Sequence, residues 1–580
     1  MTPPRLRVWA PAATRVEVVT DSGRRPLERA EGGHWEGDAP PAGIDYRVAL
    51  DGGEPRKDPR SRLQPDGVHG PSRAVDPGGF TWTDQAWRGI ALEDVILYEL
   101  HVGTFTPEGS LDSAIARLDH LVDLGVTAVE LMPLAAFPGD RGWGYDGVDL
   151  WAVHAAYGGP EALSRFVDAC HGRGLAVVLD VVYNHLGPDG NVLASFGPYF
   201  TDRYSTPWGD AVNVDGAGSD GVRAHILENA LMWLREHHID GLRLDAVHAI
   251  LDTSAYPVLE ELSAAVAELA GETGRRLLLF AESDANDVRL VTPRDAGGIG
   301  MDAHWADDLH HALHSLLTGE QDGYYADYGG IDAVAAALVR GVVYDGRWSA
   351  AREHRVGRPY GDTPRTRLVA CTQNHDQIGN RAAGERLAAL VDAGALRVAA
   401  ATLLLAPHTP LLFMGEEWAA STPFQYFIDH QDPELAAAVS RGRRQEFRAF
   451  GWAPDAVPDP QDPATFTRSR LDWDEPARAP HAAMLDWYRE LISLRRGIPA
   501  LRDGDPAGVR VKVPADRALV LERGPVVLAW NRGDADIRID LPAGATVRMA
   551  FPERPERDSG GRTILAPGAV AVLLTGPTSE

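Results

Sequence analysis

From about residue 94 to 415, short uninterrupted apolar runs alternate with longer amphipathic segments. The runs are VILYELH (95–101), VTAVELM (126–132), LAVVLDV (175–181), GLRLD (241–245), LLLFAE (277–282), RLVACT (367–372) and PLLFMG (410–415), with a shorter one inside GIGMDAHW (298–305). A strand that is apolar on both sides has to be covered on both sides, as in a parallel sheet wrapped by helices. Two of the intervening segments, SLDSAIARLDHLVDLG and PEALSRFVDACHGRG, carry apolar residues at helical spacing and end in Gly, a helix stop signal. Eight strands in this pattern predict a (β/α)8 barrel of the TIM type, with a doubly wound open sheet as the alternative.

The flanks read differently. Residues 1–88 hold short alternating strands (LRVWA, RVEVVT, YRVALDG) broken by Gly and Pro, the pattern of an N-terminal β-sandwich. After Pro499 the runs VRVKVP, ALVLER, VVLAWN, ADIRIDL, ATVRMAF and AVAVLLT predict a C-terminal antiparallel β-domain over 499–580. The barrel domain is then expected over 89–498, interrupted by a long loop at 186–220. At 580 residues the chain exceeds what one hydrophobic core usually serves, in keeping with three domains.

Composition excludes several functions. The formal net charge is −27, from 83 acidic and 56 basic residues, so nucleic acid and anionic membrane are not expected as partners. Two cysteines, Cys170 and Cys371, both in apolar contexts, are expected to be buried thiols. The N-terminus lacks the charged head and apolar core of a secretory signal, and no apolar run approaches membrane-spanning length. A cytoplasmic protein is expected.

In a barrel, the reacting groups stand at the C-terminal ends of the strands. The third strand runs into LDVVYNH, presenting Asp180, Asn184 and His185. The fourth ends GLRLDAVH, presenting Arg243, Asp245 and His248. The fifth ends FAESD at Glu282, and the seventh enters TQNHDQIGN, which packs Asn374, His375, Asp376, Gln377 and Asn380 into seven positions. One Asp after one strand is commonly a helix N-cap. Four polar clusters at the same end of four strands describe a shared site.

Two carboxylates and a third acid, without a reactive cysteine, a phosphate loop or a metal cluster, fit glycoside cleavage with no cofactor and no metal. Arg243 and Asp245 are two apart, on one face of a strand, so the cation favours an ionised Asp245, as a nucleophile requires. Glu282 follows LLLF, an apolar setting that favours the protonated form a general acid needs. Asp376 is left to hold the sugar or to stabilise positive charge. Aromatics suit a sugar ligand: Trp143 and Tyr145 follow the second strand, and the 186–220 stretch carries Tyr199, Phe200, Tyr204 and Trp208.

The stretches DVVYNH (180–185), GLRLDAVH (241–248), FAES (280–283) and NHD (374–376) resemble the four signature regions of the α-amylase superfamily, glycoside hydrolase family 13. The resemblance implies Asp245 as nucleophile, Glu282 as proton donor and Asp376 as transition-state stabiliser, with Arg243, His185 and His375 touching the sugar ring and Tyr145 stacking on it. Longer stretches, among them QPDGVHGPS (64–72), TPWGDAVN (206–213), HWADDLHHALH (304–314) and LLFMGEEWAASTPFQYFIDH (411–430), are similar to the malto-oligosyltrehalose trehalohydrolase family within it. That family hydrolyses the α-1,4 bond beside the terminal trehalose of malto-oligosyltrehalose and combines an N-terminal immunoglobulin-like, carbohydrate-binding-module-like sandwich, a barrel and a C-terminal β-domain. It works in sequence with malto-oligosyltrehalose synthase.

For the trehalose side of the site, the expected contacts are Trp208 and Asp210 in the long loop and Asp307, Asp308, His310 and His311 in DDLHH. One departure from the family is LWAVHAAYGG in place of LYAP; Trp151 and Val153 are expected to alter substrate fit there. The rival readings are a glycogen branching or debranching enzyme and, from another class, a non-catalytic glycan-binding protein.

Overall fold

The computed structural model describes residues 5–448, 457–541 and 544–576. The termini of the two expected outer domains, 1–4 and 577–580, lie outside the described residues.

Eight parallel strands close into a barrel: β1 (Leu97–Leu100), β2 (Ala128–Leu131), β3 (Ala176–Val181), β4 (Gly241–Leu244), β5 (Leu278–Glu282), β6 (Ala303–Trp305), β7 (Leu368–Cys371) and β8 (Thr409–Phe413). Each pairs with its successor, and β8 closes on β1 with Leu411 opposite Leu97. The open-sheet alternative is therefore excluded. Inward and outward side chains are both buried, because helices cover the outside and neighbouring strands fill the inside. The segment SLDSAIARLDHLVDLG forms two short helices, Leu111–Ile115 and Leu118–Leu124; the first is opened by a Ser110–Ser113 capping box and the second is closed by Gly125 at φ 95°.

Upstream of the barrel, a three-stranded sheet (Glu28–Arg29, His34–Asp38, Arg5–Trp9) faces a four-stranded one built on Val16–Thr20 and Asp45–Leu50. Val8, Val16, Val18, Trp35 and Val48 fill the space between them. A buried Lys57–Asp149 ion pair, 2.7 Å long, fastens the following segment to the barrel. Downstream, a five-stranded and a three-stranded antiparallel sheet stack around Val520, Val527, Ile537, Ile539 and Leu565, while Leu519, Leu528, Trp530 and Val572 on the other face of the larger sheet join the main core.

Two buried arginines with carbonyls as partners stand where the C-terminal sheets meet the barrel, Arg495 in the barrel's last long helix, His481–Gly497, and Arg523 in the strand Ala518–Arg523 of the C-terminal domain. Arg495 donates to the carbonyls of Leu404, Ala406 and His408, and Arg523 to those of Leu405, Ala406 and Leu501. All but the Leu501 carbonyl end the helix Ala393–Leu405 or lead into β8, where the helix dipole favours a cation.

The 186–220 stretch is more ordered than a loop. It forms a hairpin, Phe200–Thr206 with Gly209–Val212, turned by Pro207 and Trp208. Its alternation is weak because both faces are largely polar, so period-2 patterning did not mark it.

Candidate active site

Arg243 organises the rim. It lies in β4, fully buried, and its Nη1 donates to Asp180 Oδ2 at 2.6 Å and to Asp245 Oδ1 at 2.9 Å. Its Nη2 stands 2.9 Å from Glu282 Oε2, and its guanidinium carbon lies 4.4 Å from the centre of the Trp305 ring. One cation thus joins carboxylates from the ends of β3, β4 and β5. Asn184 adds a donor from its Nδ2 to Asp245 Oδ2 at 3.0 Å.

Glu282 also accepts the Ala246 N–H at 2.6 Å. Ala246 holds φ 38° and ψ 52°, a left-handed conformation costly for a residue with a Cβ. That twist turns its N–H toward Glu282 directly after Asp245. Burial pushes the Glu282 carboxyl above its ordinary range; Arg243 opposes the shift and the Asp245 charge adds to it. Burial likewise pushes Asp180 up to about 7 against the pull of Arg243.

The stretch TQNHDQIGN becomes a single helical turn, His375–Gly379, whose N-cap Asn374 accepts the Gln377 N–H at 2.9 Å. The cap presents His375 and Asp376 at the rim. His375 Nδ1 and backbone N–H both bond to Glu99 of β1, and Nε2 lies 2.8 Å from the Tyr145 hydroxyl. That hydroxyl donates to Asp180 at 2.6 Å, and the two rings stack 5.2 Å apart. Burial would drive His375 toward neutrality, but Glu99 and Asp376 overcome it and hold the proton up to about 10. Gly379 is required: a Cβ there would fall 2.0 Å from the Trp143 ring. Asp376 is partly exposed, with Nδ2 of Asn380 at 3.5 Å.

His185 completes the rim, with Nδ1 on Asn184 Oδ1 at 2.8 Å and Nε2 on the Tyr145 carbonyl at 3.0 Å. The exposed Trp208, at the hairpin tip, stacks on His185. Asp210 is exposed on the same hairpin, and His248 is exposed on the turn Val247–Ala249 after β4.

Other expected contacts fall elsewhere. Asp308 is buried and accepts from Tyr328, Asn286 and the backbone N–H groups of Val343 and Tyr344, so its carboxylate serves internal donors. His310 is buried between the Thr372 carbonyl (2.7 Å) and the Tyr325 hydroxyl (3.2 Å). His311 is buried against Tyr324, 5.0 Å between rings. Asp307 is half-buried near the acids of the rim; burial, with the charges of Glu282 and Asp376, pushes it up to about 8. Tyr199 packs on Trp9 of the N-terminal sandwich, and Tyr204 bonds to Asp215. Trp151 is buried beneath Arg60 and Arg62 and bonded to His225, so its departure from the family pattern bears on that contact and not on the rim.

Glu99, Glu130 and Trp305 were not singled out from the sequence. Glu99 and Glu130 face each other across β1 and β2 in register, and neither carboxyl oxygen of Glu130 has a hydrogen-bond partner. The signal was present: a carboxylate in the middle of a continuous apolar run is rare unless paired or used. Among the described residues no group of three or more His, Cys, Asp and Glu side chains is placed to hold a metal ion, and no helix is long and apolar enough to cross a membrane.

A closed parallel barrel with three acids on its rim and one arginine bridging two of them is the arrangement of α-amylase-type enzymes. A family model described as "Alpha amylase, catalytic domain" matches residues 73–196. A malto-oligosyltrehalose trehalohydrolase of Arthrobacter ramosus is 54% identical over 571 residues, covering 94% of this chain and 99% of the relative. One from Rhizobium sp. (strain M-11) is 48% identical, covering 98% and 97%. A crystal structure described as a putative alpha amylase from Salmonella typhimurium superposes with a TM-score of 0.90 at 39% identity, covering 98% of this chain and 97% of that one. The chain belongs to the malto-oligosyltrehalose trehalohydrolase family of α-amylase-type glycosidases.

Proposed function

We propose that the chain hydrolyses the α-1,4-glucosidic bond next to the terminal trehalose of malto-oligosyltrehalose, with retention of configuration. The observation that carries this reading is the Arg243 bridge, which fixes Asp245 and Glu282 on adjacent strands within reach of one guanidinium. Glu282, whose carboxyl burial pushes above its ordinary range, gives its proton to the glycosidic oxygen as trehalose leaves. The Asp245 carboxylate attacks the anomeric carbon and forms a glucosyl ester. Water then attacks that carbon, Glu282 takes the water's proton, and Asp245 is released. Asp376, on the partly exposed edge of the capped turn, stabilises positive charge at the reacting carbon, while His375, His185, Arg243 and Tyr145 orient the ring. Trp208 and Asp307 stand on the side reserved for trehalose.

The same reading divides the chain into a sandwich at 1–88, a catalytic barrel at 89–498 and a β-domain at 499–580. It places the enzyme in the cytoplasm downstream of malto-oligosyltrehalose synthase.

Incubation with malto-oligosyltrehalose and, separately, with maltoheptaose tests the function. Trehalose and a shortened malto-oligosaccharide are expected from the first, and slower cleavage from the second. Longer or branched glucans would identify a transferase, and no new sugar a binding protein. NMR of the new reducing end, recorded before mutarotation, should show the α-anomer first; a β-anomer removes Asp245 from the nucleophile role. Glu282→Gln should lower kcat by about 10²–10⁴-fold, the usual contribution of a general acid.

A further inference from the structure

Away from the rim, the N-terminal sandwich and the barrel enclose a cavity of about 200 Å³. Its lining includes Arg5, Arg7, Arg60, Arg62 and Arg73 against a single carboxylate, Asp58, in a chain whose formal net charge is −27. Asp58 is already engaged by the Tyr46 hydroxyl at 2.8 Å and the Arg60 backbone N–H at 2.9 Å. The acids that pair with the arginines, Glu36, Asp45, Glu228 and Glu236, are not part of the lining.

Arg60 and Arg62 stand where the segment after the sandwich meets the barrel. Their guanidinium carbons lie 4.9 and 4.7 Å from the centre of the Trp151 ring, which fixes both side chains. Each bonds to one glutamate of the barrel, yet Arg60 Nη2 and Arg62 Nη1 are buried without a hydrogen-bond partner. A buried donor on a cation, left unpaired, costs more than a neutral one. Guanidinium groups offer forked donors matched to the oxygens of a phosphate. The cavity is below the usual range for drug-sized ligands and suits a small oxyanion.

We propose that this cavity binds a phosphate group, as inorganic phosphate or as the phosphomonoester of a hexose, with Arg60 and Arg62 as its principal donors and Arg5, Arg7 and Arg73 at its mouth. Arg60 and Arg62 already tie the sandwich to the barrel, so an anion bound between them adds a bridge across that interface and raises thermal stability by mass action.

The test is calorimetric titration and thermal unfolding of the full chain with inorganic phosphate, glucose 6-phosphate and glucose, at constant ionic strength set by chloride. Phosphate is expected to give a saturable heat and to raise Tm, and glucose neither. Tighter binding of glucose 6-phosphate than of phosphate would identify a sugar phosphate as the ligand, and equal binding the free ion. Arg62→Gln should weaken binding by about tenfold or more, the loss of one charge-assisted contact. Arg5→Gln, at the exposed mouth, changes no buried packing and should weaken it severalfold, which keeps the test decisive if Arg62→Gln folds poorly. Stabilisation by phosphate no greater than by chloride, binding of glucose alone, or unchanged affinity in both variants would overturn the proposal.

Discussion

The imidazole of His185 and the indole of Trp208 lie face to face, 4.7 Å between ring centres and 9° from parallel. His185 belongs to the catalytic rim through Asn184 and Tyr145, whereas Trp208 belongs to the hairpin tip. The stack therefore docks a side chain that is nearly half exposed (48%) against the rim, on a turn that would otherwise project into solvent.

Trp208→Ala should consequently affect substrate choice more than chemistry. On malto-oligosyltrehalose kcat/KM is expected to fall by about 10–200-fold, the scale of losing one apolar contact to a substrate. On plain malto-oligosaccharides the fall should be small. Both ratios measured on one preparation check this; equal losses would mean the hairpin supports turnover in general.

Arg243→Met removes the cation that opposes protonation of Glu282 and Asp180. Both carboxyls then rise further, because burial and mutual repulsion are left unbalanced. A general acid works only while protonated, so the alkaline limb of the kcat/KM profile should move to higher pH as kcat falls. The variant should also lose roughly 3–5 kcal/mol of stability, the usual result of breaking a buried ion pair. Kinetics across pH together with urea unfolding separate the two effects.

Asp308→Ala deletes an acceptor shared by four donors. The variant is expected to unfold about 3 kcal/mol more easily, since buried donors are left without a partner. Its KM at low temperature should stay near the wild-type value. A large rise in KM with unchanged unfolding midpoint would instead place Asp308 against the sugar.

His375 gives a pH dependence of stability. It titrates near 6.5 when unfolded and keeps its proton to about 10 when folded. Folding takes up a proton between those values, so this contribution is complete below pH 6.5 and is lost as pH rises toward 10. In Glu99→Gln the partner that retains the proton is gone. The stability difference between wild type and variant should therefore narrow steadily over that interval, as followed by denaturant unfolding at several pH values; a constant difference would show that His375 is not charged in the folded chain.

Strand runs such as LAVVLDV and LLLFAE were legible because a parallel barrel needs apolar residues on both faces. The rim acids were legible for a related reason: Asp245 and Glu282 are the first polar groups after such runs. The donors to Asp245 and Glu282 were only partly so. Arg243 announced itself two residues before Asp245, but the Ala246 N–H owes its role to a backbone twist that no side chain signals. The DDLHH segment reads uniformly polar, but its residues divide: Asp307 lies near the rim acids, while its neighbours turn inward. Its polar side chains open the helix Asp308–Thr318, yet that helix is buried on nearly every side, and Asp308 and His310 satisfy internal groups instead of a ligand.

The carbonyl-bound arginines have a bearing on the order in which the chain is made. Strand β8, which closes the barrel on β1, leaves the ribosome before Arg495 and well before Arg523. Until then the carbonyls of Leu404, Leu405, Ala406 and His408 must be solvated by water. Packing of the helix His481–Gly497 exchanges part of that water for the Arg495 guanidinium, and seating the C-terminal sheets brings Arg523 to Leu405 and Ala406, so the segments synthesised last are the ones that dry and lock the seam of the barrel.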